Sequence, residues 1–203
     1  MPMPLAHSLA GYCVYNSQKL KFFGKPWQTA FFFVALANLP DADFLPGYFL
    51  GNPNHWHQTV SHSLGATVLV GALGAWFFAS KNTGISQNTE NTPRLFGKKF
   101  AAYFAVISLV YFSHIVLDCF NQDMRAPYGV MLFWPVSSEH FTSPVSLFVA
   151  VHKSSDSGRF FQSLWHPRNL LGLTRELLIM GPVALIFWFA QKERGAKSPL
   201  EGG

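Results

Sequence analysis

The chain is poor in charge: Asp, Glu, Lys and Arg make up 12% of its 203 residues, about half the roughly 25% of an average soluble domain. That scarcity argues against an ordinary soluble domain. Its only cysteines are Cys13 and Cys119, too few for a disulfide framework or a zinc ribbon. It has no block of like charge, so the net charge of +5 comes from scattered bases and not from a nucleic-acid footprint. The opening MPMPLAHSLAGY lacks a basic n-region, and its apolar stretch is broken by His7 and Ser8, so no signal peptide is expected. There is no internal repeat and no linker dividing the chain, which reads as a single domain over 1–203.

What is abundant is apolar and aromatic. Residues of apolar type form 49% of the chain, with 21 Phe and six Trp, as in proteins whose rings face lipid and sit at bilayer interfaces. The mean hydropathy is only +0.18, so much of the chain lies outside lipid.

A hydrocarbon core of about 30 Å takes about twenty apolar residues in a helix. Residues 60–79, 99–118 and 175–191 meet that length. Two shorter stretches, 4–16 and 27–39, would pack against them as tilted or half-spanning helices. The expectation is therefore an all-α, multi-pass membrane protein with about four to five transmembrane helices and an outer-face cap. If all five cross, Lys19, Lys21, Lys25, Lys81, Arg94, Lys98, Lys99, Lys192, Arg194 and Lys197 fall on one side. The other side receives Arg125, Lys153, Arg159, Arg168 and Arg175, all within one long segment. Short loops rich in bases stay inside, so 80–98 becomes a cytoplasmic loop, 119–174 the outer cap, and 194–203 a disordered tail.

On that topology His7, Asp41, Asp43, His57, His62, His114 and Asp118 all fall at the outer boundary. Each has an ordinary reading when taken singly: a hydrogen-bonded core imidazole, a turn, or a helix cap. Together they are harder to explain, because ionisable groups at membrane depth persist when they pair, line a wet cavity or bind an ion. The spacings suit metal ligation. His114 and Asp118 lie one helical turn apart on one face, Asp41 and Asp43 alternate between two prolines in LPDADFLP, and HWHQTVSHS brings His57 and His62 to the start of a helix.

At these motifs the sequence resembles the LexA-regulated, membrane-bound predicted metal-dependent hydrolases, the YdjM-like family. The resemblance rests on PLAHSLAGY, NLPDADFLPG, HQTVSHS, and HIVLD followed by Asn121, Tyr128, Gly129 and FWPVS, and covers roughly residues 4–140. A more distant likeness is to zinc-dependent phospholipase C and related nucleases. Those carry an H-x-x-x-D helix pair, matched by His114 and Asp118, and an Asp fourteen residues before a His, matched by Asp43 and His57. The resemblance implies that Asp118 bridges two metals and that Asp43 is a candidate base. It also asks for a processed N-terminal amine, for which nothing in the sequence argues, and for a later H-x-x-x-E pair. The nearest pair is His152 with Asp156, and Glu176 is the other carboxylate that could fill the role or simply suit the start of a helix.

The expected activity is metal-dependent hydrolysis at a two- or three-metal His/Asp site on the outer face of a bacterial inner membrane. Zinc suits the imidazole-rich set, with manganese or iron allowed by its carboxylates. Catalytic roles fall to Asp43 or Asp123 as proton acceptor and Arg125 as a phosphate contact. A site at this depth reaches headgroups, so the expected partners are the bilayer and a phospholipid or lipid-linked phosphate substrate. Nucleic acid is disfavoured because the outer bases are few. Two other classes compete: a metal or proton transporter, which should carry ionisable groups through the full membrane depth, and a non-enzymatic protein with a structural metal site.

Overall fold

A computed structural model of the chain describes residues 2–82, 97–123, 126 and 128–197. Most of the expected cytoplasmic loop, the end of the tail and Arg125 lie outside the described residues. The architecture is mostly helical, in chain order α1 (Pro4–Ser17), α2 (Pro26–Ala37), α3 (Phe44–Phe49), α4 (Leu64–Asn82), α5 (Lys98–Cys119), α6 (Phe160–Ser163) and α7 (Pro167–Lys197). A parallel pair of two-residue strands, β1 (Asn121–Gln122) and β2 (Phe148–Val149), is the whole of the sheet among the described residues.

Three helices are long and apolar enough to cross a membrane: Leu64–Lys81 in α4, Lys98–Cys119 in α5 and Pro167–Arg194 in α7. The two further expected segments, α1 and α2, have 14 and 12 residues, about 21 and 18 Å of helix at 1.5 Å per residue, short of a full span by length. They form an antiparallel hairpin. Asn38 donates to Ser8 Oγ at one end, and Tyr15 meets Phe33 further along. Gly11 permits the close approach, since a Cβ there would lie 2.6 Å from the Phe33 carbonyl oxygen. The link after α1 reaches the far end of the long helices, where Tyr103 donates to the Lys21 carbonyl. Arg194 of α7 donates to the Ser17 and Asn16 carbonyls there, satisfying free acceptors at the C-terminus of α1.

The longest helix starts earlier than its apolar run predicts. α7 begins at Pro167, a residue pre-organised for the first helical position, so its first turns lie in the stretch read as cap and Glu176 sits inside the helix.

α4 and α5 pack antiparallel, with Gly74 against Ile107: a Cβ on Gly74 would come 2.7 Å from the Ile107 side chain. Small residues of this kind let membrane helices approach. Phe22, Phe33, Phe78, Tyr103, Ile107 and Val110 fill the centre, while Leu69, Leu73, Leu109, Leu178 and Ile186 stay exposed on the outside of the long helices. Large apolar side chains facing outward are what lipid-facing helices require.

The segment after α5 braces the start of α4. Leu64 N–H donates to the Leu132 carbonyl at 2.9 Å and Gly65 N–H to the Trp134 carbonyl at 3.0 Å, satisfying helix-start donors that have no partner in their own helix. The FWPVS motif thus fixes the helix end that follows His62.

Candidate metal centre

Everything at the centre is built on helix ends. His114 and Asp118 occupy the last turns of α5, one turn apart and both fully buried. His114 Nδ1 lies 2.8 Å from the carbonyl of Ala37, the last residue of α2. A carbonyl accepts only, so Nδ1 carries a proton and Nε2 is the nitrogen that faces the cluster, the orientation of imidazoles that hold a metal.

Around that Nε2 gather His62 Nε2 at 3.1 Å, Asp41 Oδ1 at 3.5 Å and Asp118 Oδ2 at 3.5 Å. His62 Nε2 stands 3.2 Å from Asp118 Oδ2 and 3.6 Å from Asp41 Oδ1. One donor atom from each of Asp41, His62, His114 and Asp118 lies within 4.8 Å of the others, so this buried group could hold a metal ion. His7, from the first turn of α1, stacks on His114 with ring centroids 3.6 Å apart, and its Nε2 is 3.5 Å from Asp118 Oδ1.

A second group, Asp43, His57 and His62, adjoins the first through His62. Asp43 ends a 3-10 turn over Leu39–Asp43, which follows α2 directly and carries both carboxylates. Asp43 Oδ1 accepts from His57 Nδ1 at 2.8 Å. Its Oδ2 accepts from Gln58 N–H at 3.1 Å and Ser61 Oγ at 2.6 Å. Gln58 has a φ of 64°, a left-handed conformation uncommon outside glycine and frequent at functional turns.

The two groups differ in satisfaction. Both oxygens of Asp41, both of Asp118, both ring nitrogens of His7 and Nε2 of His57 are buried without a hydrogen-bond partner. Unpaired buried carboxylates are among the most costly groups a fold can carry, and a cation among them removes the cost. The donor set therefore fits a divalent ion. Asp43, by contrast, is fully engaged by protein donors.

Electrostatics outside the spans follows from burial and these partners. Burial opposes ionisation of Asp41 and Asp43, but the facing imidazoles outweigh it and hold both carboxyls below the usual carboxylate range. Burial, aided by the charge of Lys153, pushes His57 down to about 4. His57 is thus neutral at physiological pH.

All seven proposed ligands, His7, Asp41, Asp43, His57, His62, His114 and Asp118, come together in the two groups or in contact with them. Asp123 is placed differently. Its carboxylate accepts from Asn121 Nδ2 at 2.8 Å and from Gly129 N–H at 2.6 Å, pinning the loop after α5. Gly129 has a φ of 93°, and a Cβ there would strike the Phe141 carbonyl. Arg125 lies outside the described residues. His152 lies tilted against His166 with ring centroids 4.2 Å apart, while Asp156 accepts from Gly158 N–H and pairs with Arg159, so this pair stays apart from the cluster. Glu176 is buried and accepts from the backbone N–H of Met3 and of Ala6, capping the helix that carries His7.

Sequence reasoning missed Ser61 and Lys153. Ser61 Oγ holds Asp43 and also lies 3.0 Å from His62 Nδ1, and the one available signal was its place between the two histidines. A lysine in a loop carries no spacing signal at all.

Fold and site together define an integral membrane protein with a buried His/Asp cluster at one end of its helices. The chain belongs to the YdjM inner membrane protein family, whose model matches residues 1–194. No curated protein and no solved structure matches the chain.

Proposed function

We propose that the protein is a membrane-bound metal-dependent hydrolase acting on phosphoesters near the membrane surface. The observation that carries this reading is the set of unpaired oxygens on Asp41 and Asp118 facing the Nε2 atoms of His62 and His114. Asp41, His62, His114 and Asp118 would hold one divalent ion, with His7 beside them, and the Asp43, His57 and His62 group a second. Zinc is the first candidate for so many imidazoles, with manganese or iron next. Bound divalent ions supply Lewis acidity and bring the pKa of a water toward ~7, which suits in-line attack on phosphorus.

The chain's own residues divide the remaining work. His114 is oriented by the Ala37 carbonyl. Asp43 holds the His57 imidazole in one tautomer, and where only the first group is loaded this pair is the candidate proton acceptor. Positive-inside counting supports an outer-face site, because the loop between α4 and α5 and the end of α7 carry the bases of the opposite side. That depth favours phospholipid or lipid-linked phosphate as substrate.

Transport is less well supported. Beyond the cluster, toward the other membrane face, stand Phe33, Ile107 and Val110, all within 1% of full burial, with no ionisable relay among them.

The test is metal analysis of detergent-purified protein prepared without chelator, followed by assay against a generic phosphodiester and a phospholipid. Stoichiometric metal, lost in His114→Ala and Asp118→Ala, is the expected result. A native protein without metal would sink the reading, and metal without hydrolysis would turn it toward transport or a structural site.

A further inference from the structure

We propose that Lys153 is the anion-binding group of this site, held at the edge of the His/Asp cluster to receive a phosphate oxygen of the substrate. The inference rests on the metal-centre reading above and names the chemistry its substrate must carry.

The backbone on both sides of Lys153 is fixed. β2 pairs with β1, with Asn121 opposite Phe148, so the segment starts beside the end of α5, three residues beyond Asp118. His152 N–H donates to Asn169 Oδ1 at 2.7 Å, and Asn169 Nδ2 donates back to the His152 carbonyl at 2.9 Å. Ser154 N–H donates to Ser163 Oγ at 2.7 Å. Asn54 then ties the segment to the loop that carries His57, its Nδ2 donating to Ser155 Oγ at 3.0 Å and to the Ser154 carbonyl at 3.4 Å. Residues 148–155 therefore run from the Asp118 end of the cluster to the His57 end, with Lys153 clamped between two anchored neighbours.

Its side chain is half-buried between these anchors. Its charge is felt by Asp41, Asp118, Asp43 and Asp123, the carboxylates of the cluster and of the loop after α5. Holding a lysine where burial disfavours its charge has a cost, and an ammonium facing carboxylates offsets it in the metal-free protein.

Metal changes that balance. Two divalent ions would balance the three carboxylates Asp41, Asp43 and Asp118 together with His62, which the two groups share and which would hold both ions only as an imidazolate. The Lys153 charge is then left uncompensated, which selects an anion. A lysine is a compact point charge suited to phosphate. The phosphate can belong to a lipid headgroup or be free in solution, and both present the same oxygens.

The experiment uses the full chain in detergent, loaded with zinc, as native protein, Lys153→Gln, Lys153→Met and Lys153→Arg. Calorimetric titration with inorganic phosphate reads the anion site without turnover, and metal analysis of the same samples reads the metal centre. Loss of one charge-assisted contact should weaken phosphate binding by about 10- to 100-fold in the Gln variant, with metal content unchanged and most binding restored in the Arg variant. The Met variant keeps the aliphatic stem and replaces the Gln variant if that one does not fold. Competition by mixed micelles containing phosphatidic acid, against micelles of neutral diacylglycerol, assigns the source: competition by the first alone marks a lipid phosphate, and its absence marks free phosphate. Equal phosphate binding by native and uncharged variants overturns the proposal, as does a native, metal-loaded protein that binds no phosphate. A native protein that takes up no metal overturns the metal-centre reading instead, and this inference falls with it.

Discussion

The Nδ1–H of His114 meets the carbonyl of Ala37 at 2.8 Å, so the last turn of α2 decides which nitrogen of an α5 histidine faces the cluster. One hydrogen bond satisfies a free helix-end acceptor and sets an imidazole for metal. His114→Gln loses the ring nitrogen directed at the cluster. It is expected to lose bound metal while keeping a monodisperse profile in detergent, and retention of full metal content would remove His114 from the site.

Ser61 links the two ligand groups through Asp43 Oδ2 and His62 Nδ1. Partners of this kind usually matter by about 10- to 100-fold in metal affinity. Ser61→Ala should weaken zinc binding by about tenfold in a competition titration with a chromophoric chelator. An unchanged affinity would make Ser61 a bystander.

The two oxygens of Glu176 accept from Met3 N–H and Ala6 N–H. Glu176→Ala leaves the buried Ala6 donor and the half-buried Met3 donor unpaired at the start of α1, and a buried unpaired donor costs about 1–3 kcal/mol. Thermal unfolding in detergent should shift down accordingly. Metal affinity should fall as well, because the same turn carries His7.

Gly11 lies so close to α2 that a Cβ would sit 2.6 Å from the Phe33 carbonyl oxygen and 2.9 Å from the Ala37 Cβ. Gly11→Ala forces the hairpin apart, and overpacking of this sort costs about 1–3 kcal/mol. The Ala37 carbonyl would move with it, so loss of metal should accompany the lower melting temperature.

His57 gives the metal-free protein a defined pH dependence. Burial first, and then the Lys153 charge, hold it at about 4 against 6.5 in the unfolded chain. Between those values the unfolded chain binds a proton that the folded chain refuses. The stability from neutral His57 is therefore present above pH 6.5 and lost as pH falls toward about 4. Asp43, held below its ordinary value, extends the loss to lower pH. His62, held above its ordinary value by the facing carboxylates against its burial, acts the opposite way near neutrality but is protonated in both states below pH 6. The metal-free protein should therefore melt at a lower temperature at pH 4.5 than at pH 6, and His57→Gln should flatten the difference between them.

Much of the site was legible because its ligands sit in short motifs with local geometry. His114 and Asp118 are one turn apart on any helix, and LPDADFLP places two carboxylates in one turn whatever surrounds it. The short helices were less legible: α1 and α2 look like weak spans, since hydropathy registers apolar content and not the hairpin partner that shortens the path. The start of α7 at Pro167 was hidden because its first turns are polar enough to read as cap.

By itself the sequence determined three membrane-length helices and seven imidazole and carboxylate side chains at one level, since hydrophobic length and helical period are local properties. Only the tertiary structure decided that Ala37 orients His114, that Glu176 caps α1, and that Asn54 ties the loop of His57 to the segment around Lys153. Each of those contacts joins residues far apart in the chain, and contacts across such distances leave no period or spacing in the sequence from which they could be read.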